Sequence, residues 1–309
     1  MFKRFSNKQL IIVLGSLTVL YLLSLVLGGK SERTFKKTIS AIDTAKVNLI
    51  RITPPNVSPV LLSRAGNEWT VQIDGGVQAP TSPGAVKSAL ASIAFLEAKQ
   101  LVSRNEDKWG EYKVDTAGTR VEVLTGEKKS LDLVLGRFEY KQTGMMSYVR
   151  ENGSDETYLV NGFLESSFNR KADDWRNKTL LKGPQSEWMS ITFTYPGDSS
   201  FQIIKAADNT WMLSDSGALN TSEVNSWLSA AANTNGTTFS EKPPVITAPL
   251  YQVTVQTTSG LVEVKAFEDE NNQFILTSSQ NPGANFADAT GDIVKKLFVS
   301  KTKFLPKSD

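Results

Sequence analysis

Between Lys8 and Lys30 the chain carries no charged residue, and this stretch limits what its N-terminal end can become. At the ~1.5 Å rise of a helix, about twenty residues reach roughly 30 Å, the thickness of a hydrocarbon core. The apolar run covers residues 10–27, with Ser16, Thr18, Tyr21 and Ser24 as its polar members. A membrane helix tolerates all four, whereas a buried core helix of this length shows a polar face. The run continues through Leu22, Leu23, Leu25, Val26 and Leu27 with no Ala-x-Ala pattern behind it. It therefore reads as an uncleaved anchor in contact with membrane lipid, not as a removable signal.

Basic residues flank the run on both sides, Lys3, Arg4 and Lys8 before it and Lys30, Arg33, Lys36 and Lys37 after it, so charge alone does not orient it. The short basic tail resembles the start of an export signal, and a signal-anchor that leaves this tail inside and exports the rest is the simplest insertion route. Residues 1–29 are thus expected to be tail and transmembrane anchor, and 30–45 a juxtamembrane stalk. Phe35, Ile39 and Ile42 recur at helical spacing within that stalk, which reads as an amphipathic helix or a solvated linker.

Composition narrows the chemistry. Lysine and arginine total 34 against 32 acidic residues, which gives no basic face for nucleic acid. The chain has no cysteine, so it has no disulfide, thiolate metal site, thiol nucleophile or lipidated cysteine. It has no histidine either, which removes the usual general base and the commonest metal ligand.

The remainder reads as one unit written twice. Leu49, Ile50 and Ile52, then Val60 to Leu62, then Trp69, Val71 and Ile73 predict three strands; Met189, Ile191 and Phe193, then Phe201, Ile203 and Ile204, then Trp211 and Leu213 predict three more. A helix follows each set, with Val86, Ala89, Leu90, Ile93 and Leu96 on the first and Val224, Trp227, Leu228 and Ala231 on the second. Ser82 with Pro83, and Asn220 or Thr221, are the expected starts. Further strands are expected around Val121, Leu133, Tyr148 and Tyr158 in the first copy, and around Val253, Val262 and Ile275 in the second. Closing helices are expected at Phe163 and at Ile293 to Phe298. The predicted fold class is α+β: two pseudo-repeated lobes, 46–170 and 187–299, each of antiparallel meanders covered by helices. A connector at 171–186 joins them and a tail occupies 300–309.

Several local runs carry a family resemblance. They are Gly66 to Trp69, Trp109 to Tyr112, Leu135 with Gly136, Tyr148 to Arg150, and Trp175 to Leu181. In this order, over about 46–181, they resemble a bacterial family defined by the domain of unknown function 4340. That family occurs in membrane-anchored proteins and in auxiliary subunits of ABC-type transporters, including gliding-motility components. The resemblance implies a single-pass inner-membrane protein with a periplasmic C-terminal domain and an ABC-type transporter subunit as partner. Read without the family, Gly136 ends a strand where the backbone needs positive φ or close approach, and Trp69 and Trp211 fill the cores under their helices.

No residue is assigned a catalytic, cofactor-binding or metal-binding role. Glu139, Glu151, Asp173 and Asp174 are the carboxylates a two-acid glycosidase would need, but their spacing places no two of them across a cleft. Glu268, Asp269, Glu270, Asn271 and Asn272 suit a solvated hairpin tip better than a calcium loop. The charged run Asp173 to Lys178 reads as a salt-bridged connector or as a partner contact. The expectation is a non-enzymatic, anchored envelope protein that docks a partner through strand edges or an inter-lobe groove, without cofactor or nucleic acid. The alternative is a stand-alone carbohydrate- or lipid-binding module, for which exposed Trp109, Trp175 or Trp188 would be the sign.

Overall fold

The structure, a computed structural model, describes residues 12–21, 36–142, 144–215, 217–245, 248–269 and 271–306. Residues 12–21 form a helix (α1) exposed on every side. The rest of the anchor expected at 10–27 lies outside the described residues, and among the described residues no helix is long and apolar enough to cross a membrane.

Beyond it come strands Thr38–Ala41 (β1), Leu49–Thr53 (β2), Val60–Ala65 (β3), Glu68–Gln72 (β4) and Gln78–Pro80 (β5). Helix Ala85–Ala94 (α2) leads directly into the strand Phe95–Ser103 (β6), and the short helix Trp109–Tyr112 (α3) precedes Thr119–Thr125 (β7), Lys128–Lys141 (β8), Gly144–Glu151 (β9) and Thr157–Asn161 (β10). Two short helices, Leu164–Phe168 (α4) and Ala172–Trp175 (α5), lead to Thr179–Lys182 (β11), Trp188–Thr194 (β12), Phe201–Lys205 (β13) and Trp211–Leu213 (β14). Helix Thr221–Ala231 (α6) is followed by Asn233–Asn235 (β15), Thr238–Phe239 (β16), Tyr251–Thr257 (β17), Gly260–Glu268 (β18), Phe274–Ser278 (β19), Asn285–Asp288 (β20) and helix Asp292–Leu297 (α7). The α+β expectation resolves to a mostly β architecture of large antiparallel sheets with some helices.

The chain divides into two compact units, Met1–Pro59 with Ala89–Asn169 and Val60–Ser88 with Arg170–Asp309. The lobes expected at 46–170 and 187–299 are a linear division, and the compact units are not. Within the second unit the reason is local. Ser82 N–H donates to the Trp175 carbonyl at 2.7 Å, Asn177 N–H to the Pro80 carbonyl at 2.8 Å, and Thr81 bridges Arg176. These bonds fasten the end of β5 to the stretch expected to be a connector, which itself supplies α5 and β11.

In the first unit the strand order is β1-β6-β10-β9-β8-β7-β2. Alternation sends Ile50 and Ile52, Val121 and Val123, and Leu131, Leu133 and Leu135 into the core. The stalk expectation is corrected in part: residues 38–41 are a strand, not helix or linker. An unpaired edge of β6 needs partners, and Ala98 N–H donates to the Lys37 carbonyl while the Ser40 hydroxyl reaches the Ile93 carbonyl. The α2 pattern was read through Leu96, but the chain is already extended at Phe95, because an apolar run at a helix-strand junction fits both periods.

The second unit holds the meander β3-β4-β5, the β11-β15 pair and a sheet ordered β14-β13-β12-β17-β18-β19-β20-β16. Asn220 caps α6, its side-chain oxygen accepting from the N–H groups of Ser222 and Glu223. Val224, Trp227, Leu228 and Ala231 of α6 are buried in one core with Ile191, Phe193 and Phe304. Phe304 lies in the segment expected to be a tail, yet it is fully buried, and its carbonyl accepts from Asn220 N–H at 2.7 Å. Trp69 and Trp211 contribute to cores only in part, Trp211 packing against the buried cluster that holds Trp227. Each sits at the outer end of a short strand and is only half-buried, while Val71 and Leu213, two residues on, are the buried ones. The fully buried tryptophans are Trp175, Trp188 and Trp227.

Trp227 meets Phe193 at 5.1 Å and Phe304 at 6.1 Å, and its indole N–H donates to the Leu297 carbonyl. Trp227→Ala should lower unfolding stability by about 3–5 kcal/mol in a denaturant titration. A loss below about 1 kcal/mol would show that this core does not hold the second unit together.

Candidate functional site

The carboxylates named from the sequence do not converge. Glu139 accepts the Tyr148 hydroxyl at 2.7 Å and pairs with Lys141; Glu151 pairs with Lys36; Asp173 pairs with Arg176, and Asp174 with Lys178 at 3.5 Å. Hydrogen bonds from Lys141 and Tyr148 hold Glu139 below the usual carboxylate range, the opposite of what a general acid needs. Asp269 accepts the N–H groups of Asn271 and Gln273, as a hairpin tip requires, and Glu270 lies outside the described residues. Among the described residues no cluster of three acidic side chains is arranged to hold a metal ion.

In the connector, Arg176 is buried with its guanidinium 3.4 Å from the centre of the Phe239 ring, and it pairs with Asp173 at 2.9 Å and Glu241 at 3.6 Å. This is a packed clasp within the second unit, in line with the salt-bridged reading of that run.

Three of the family-like runs meet in the first unit. The Arg150 guanidinium lies 3.8 Å from the centre of the Trp109 ring and donates to the Val114 carbonyl at 2.9 Å. Tyr112 stacks on Tyr148 at 4.7 Å, and Arg137 lies over the Tyr148 ring at the same distance. Burial makes Arg150 less basic than a free arginine, and burial together with Glu139 pushes Tyr148 up to about 12. Gly136 is the reason this stack closes. It lies inside β8, not at its end, where the pairing with β9 shifts register. A Cβ there would come 2.2 Å from the Tyr112 carbonyl oxygen and 2.8 Å from Val114, so only glycine lets the 109–114 loop lie on the strand. Close approach, not positive φ, is its role. The rings and guanidinium groups of this stack pack on one another, which makes it a structural joint, although the buried Trp109 indole N–H has no hydrogen-bond partner among the described residues.

The outer face of the same sheet carries a charge ladder. Arg51, Glu122 and Asp132 stand opposite one another on β2, β7 and β8. Arg120 grips Asp132 through two 2.8 Å hydrogen bonds, and Lys129 bridges Asp132 and Glu122, each at 2.8 Å.

The second unit contains an open cleft of about 900 Å³. Its wall is the rings of Tyr195, Tyr251, Phe274 and Phe298, brought together by the ends of β12, β17 and β19 and the segment after α7. Tyr251 is the hub, with Tyr195 at 5.5 Å, Phe298 at 5.8 Å and Phe274 at 6.0 Å. The Tyr195 hydroxyl donates to the Val299 carbonyl at 2.6 Å, and burial raises its pKa beyond the ordinary tyrosine range. No sequence argument singled out this cleft, because its rings come from four separate segments and each looks like an ordinary strand residue. The three tryptophans named from the sequence for a sugar- or lipid-binding surface do not line this cleft: Trp175 and Trp188 are buried and Trp109 lies under Arg150.

The model of a family described as domain of unknown function (DUF4340) matches residues 69–243. The match starts later than the resemblance read from the sequence and continues past the connector. No curated protein and no solved structure matches the chain.

Burial works to raise the Asp132 carboxyl, but hydrogen bonds from Arg120, Lys129 and Asn152 outweigh it and hold the group at about 2. Its folded value is depressed, so its contribution is present above the unfolded value near 4 and is lost as pH falls towards 2. Stability should therefore drop across that window in acid denaturation, and Asp132→Asn should flatten the drop. An unchanged acid profile in Asp132→Asn would remove the ladder from the stability account.

Proposed function

The chain belongs to the DUF4340 family, whose model covers more than half its length, and from that premise we propose that it is a non-enzymatic, membrane-anchored envelope protein serving an ABC-type transporter or an envelope-assembly machine. The observation that carries the anchor is α1. Its side chains at Ile12, Leu14, Leu17 and Leu20 are each more than half exposed, and no protein surface covers them among the described residues. An apolar helix left bare on all sides suits lipid as its solvent. Ser16 and Thr18 donate their hydroxyls to the carbonyls of Val13 and Leu14, which satisfies them inside the helix as a bilayer demands. Residues 10–27 form the whole anchor in this reading, and the residues from β1 onward form the exported body on the periplasmic side of a bacterial inner membrane.

The body is a duplication in this reading. The order β2-β7-β8-β9-β10-β6 in the first unit parallels β12-β17-β18-β19-β20-β16 in the second, and the β3-β4 hairpin parallels β13-β14. Repeated sheets of this kind present edge strands, β1 in the first unit and β14 and β16 in the second, on which a partner's extended segment can pair. The carboxylates are spent in ion pairs and hydrogen-bonded turns, which supports a scaffold over a hydrolase.

In a detergent-free lysate centrifuged at high speed, the full chain should pellet and be released by detergent but not by carbonate, while residues 30–309 should stay in the supernatant. Full-length protein in the supernatant would overturn the anchor. Purified from solubilised membranes, the chain should bring down a subunit of an ABC-type transporter; its recovery alone would remove the transporter from the reading.

A further inference from the structure

The cleft of the second unit differs from the structural joint of the first in leaving an open volume of about 900 Å³ beside its rings. Of the four rings of its wall, Phe274 and Phe298 tilt by 34° and 38° from Tyr251, while Tyr195 stands at 68° to it. On the solvent-exposed rim of that wall, the Asn272 amide and the Asp198 carboxylate, with the hydroxyl of the half-buried Tyr251, make no side-chain hydrogen bond to another described residue. A half-buried wall of rings bordered by unused donors and acceptors needs a ligand with apolar faces and a polar perimeter.

Charge and backbone narrow the class. Lys301 is tied to Asp215 at 3.0 Å and Lys295 donates to the Thr290 carbonyl at 3.2 Å, so the charges of the lining left outside ion pairs are one basic and one acidic, Lys295 and Asp198. The cleft therefore presents no net charge to select an anion. Tyr251 pairs with Ala266 on a strand held on its other side by β12, and Phe274 pairs with both Glu268 and Asp288. This pairing leaves little free edge behind the rings, since Phe274 is paired on both sides and Tyr251 on one, which disfavours a peptide adding there as a strand. An acyl chain would strip water from Asn272, Asp198 and the Tyr251 hydroxyl and return no hydrogen bonds.

We propose that this cleft binds a neutral oligosaccharide, with sugar rings lying on Tyr251, Phe274 and Phe298 and hydroxyls bonded by Asp198, Asn272 and the Tyr251 hydroxyl. Its volume of about 900 Å³ accommodates several sugar rings. A second recess of about 420 Å³ adjoins it across Tyr195 and Pro196 and gives a longer glycan room to continue. The site concerns the folded body and does not depend on the membrane anchor.

The test uses the full chain in a zwitterionic detergent without a sugar head group, titrated in a calorimeter with cellotetraose, chitotetraose and maltotetraose, and with a heparin tetrasaccharide as the anionic control. At least one neutral tetrasaccharide should bind saturably with a dissociation constant of roughly millimolar or below. Asn272 has a positive φ of 56°, so Asn272→Gly removes the amide without straining the backbone. Asn272→Gly and Asp198→Ala should each weaken binding about tenfold with the melting temperature unchanged, and Tyr251→Phe should weaken it while keeping the ring. Absence of binding by all three neutral sugars overturns the proposal. So does an affinity that Asn272→Gly and Asp198→Ala leave unmoved, or tighter binding of the heparin fragment.

Discussion

The register of three strands, β2 against β7 against β8, is the constraint on which the first unit depends. It sets Ile50, Val123 and Leu131 in one row on the buried face and Arg51, Glu122 and Asp132 in another on the outer face. A slip of one residue would exchange the two faces and bury three charges. The buried row provides the apolar driving force. The outer row adds specificity, since opposite charges stand beside each other only in this pairing.

The same sheet also shows how a single backbone position can organise a neighbourhood. Gly136 at the bulge of β8 lets the 109–114 loop lie on the strand, and that contact brings Trp109 beneath Arg150 and Tyr112 onto Tyr148. In the second unit the corresponding work is done by aromatic packing, with Trp227 between Phe193 and Phe304. The two units thus solve one problem, covering the face of a large antiparallel sheet, with different side chains. The outcome differs as well. The aromatic and guanidinium groups of the first unit close on one another, whereas the rings around Tyr251 line a cleft, and that difference separates a joint from a site.

Strands with clear alternation were legible in the sequence, as at Val121 and Val123 or Val253 and Val255, because a half-buried strand writes its period directly into the chain. The helix carrying Val224, Trp227, Leu228 and Ala231 was legible for the same reason, with the structure choosing Asn220 over Thr221 as its cap. The elements that were missed are those whose reason lies elsewhere in the chain. β1 is a strand because β6 offers it an edge, and Phe304 is buried because the core of α6 needs filling. The cleft was illegible altogether, since Tyr195, Tyr251, Phe274 and Phe298 share no local pattern.

By itself the sequence determined the oily run at 10–27, the exclusion of thiol and imidazole chemistry, and a succession of short strands and single-faced helices. Each of these is a property of adjacent residues or of composition. Tertiary structure decided that residues 60–88 group with 170–309, that Gly136 serves close approach, and which aromatic residues line a cleft and which fill a core. Those outcomes depend on which distant segments meet, and hydrogen-bond pairing between strands, not local propensity, sets those meetings.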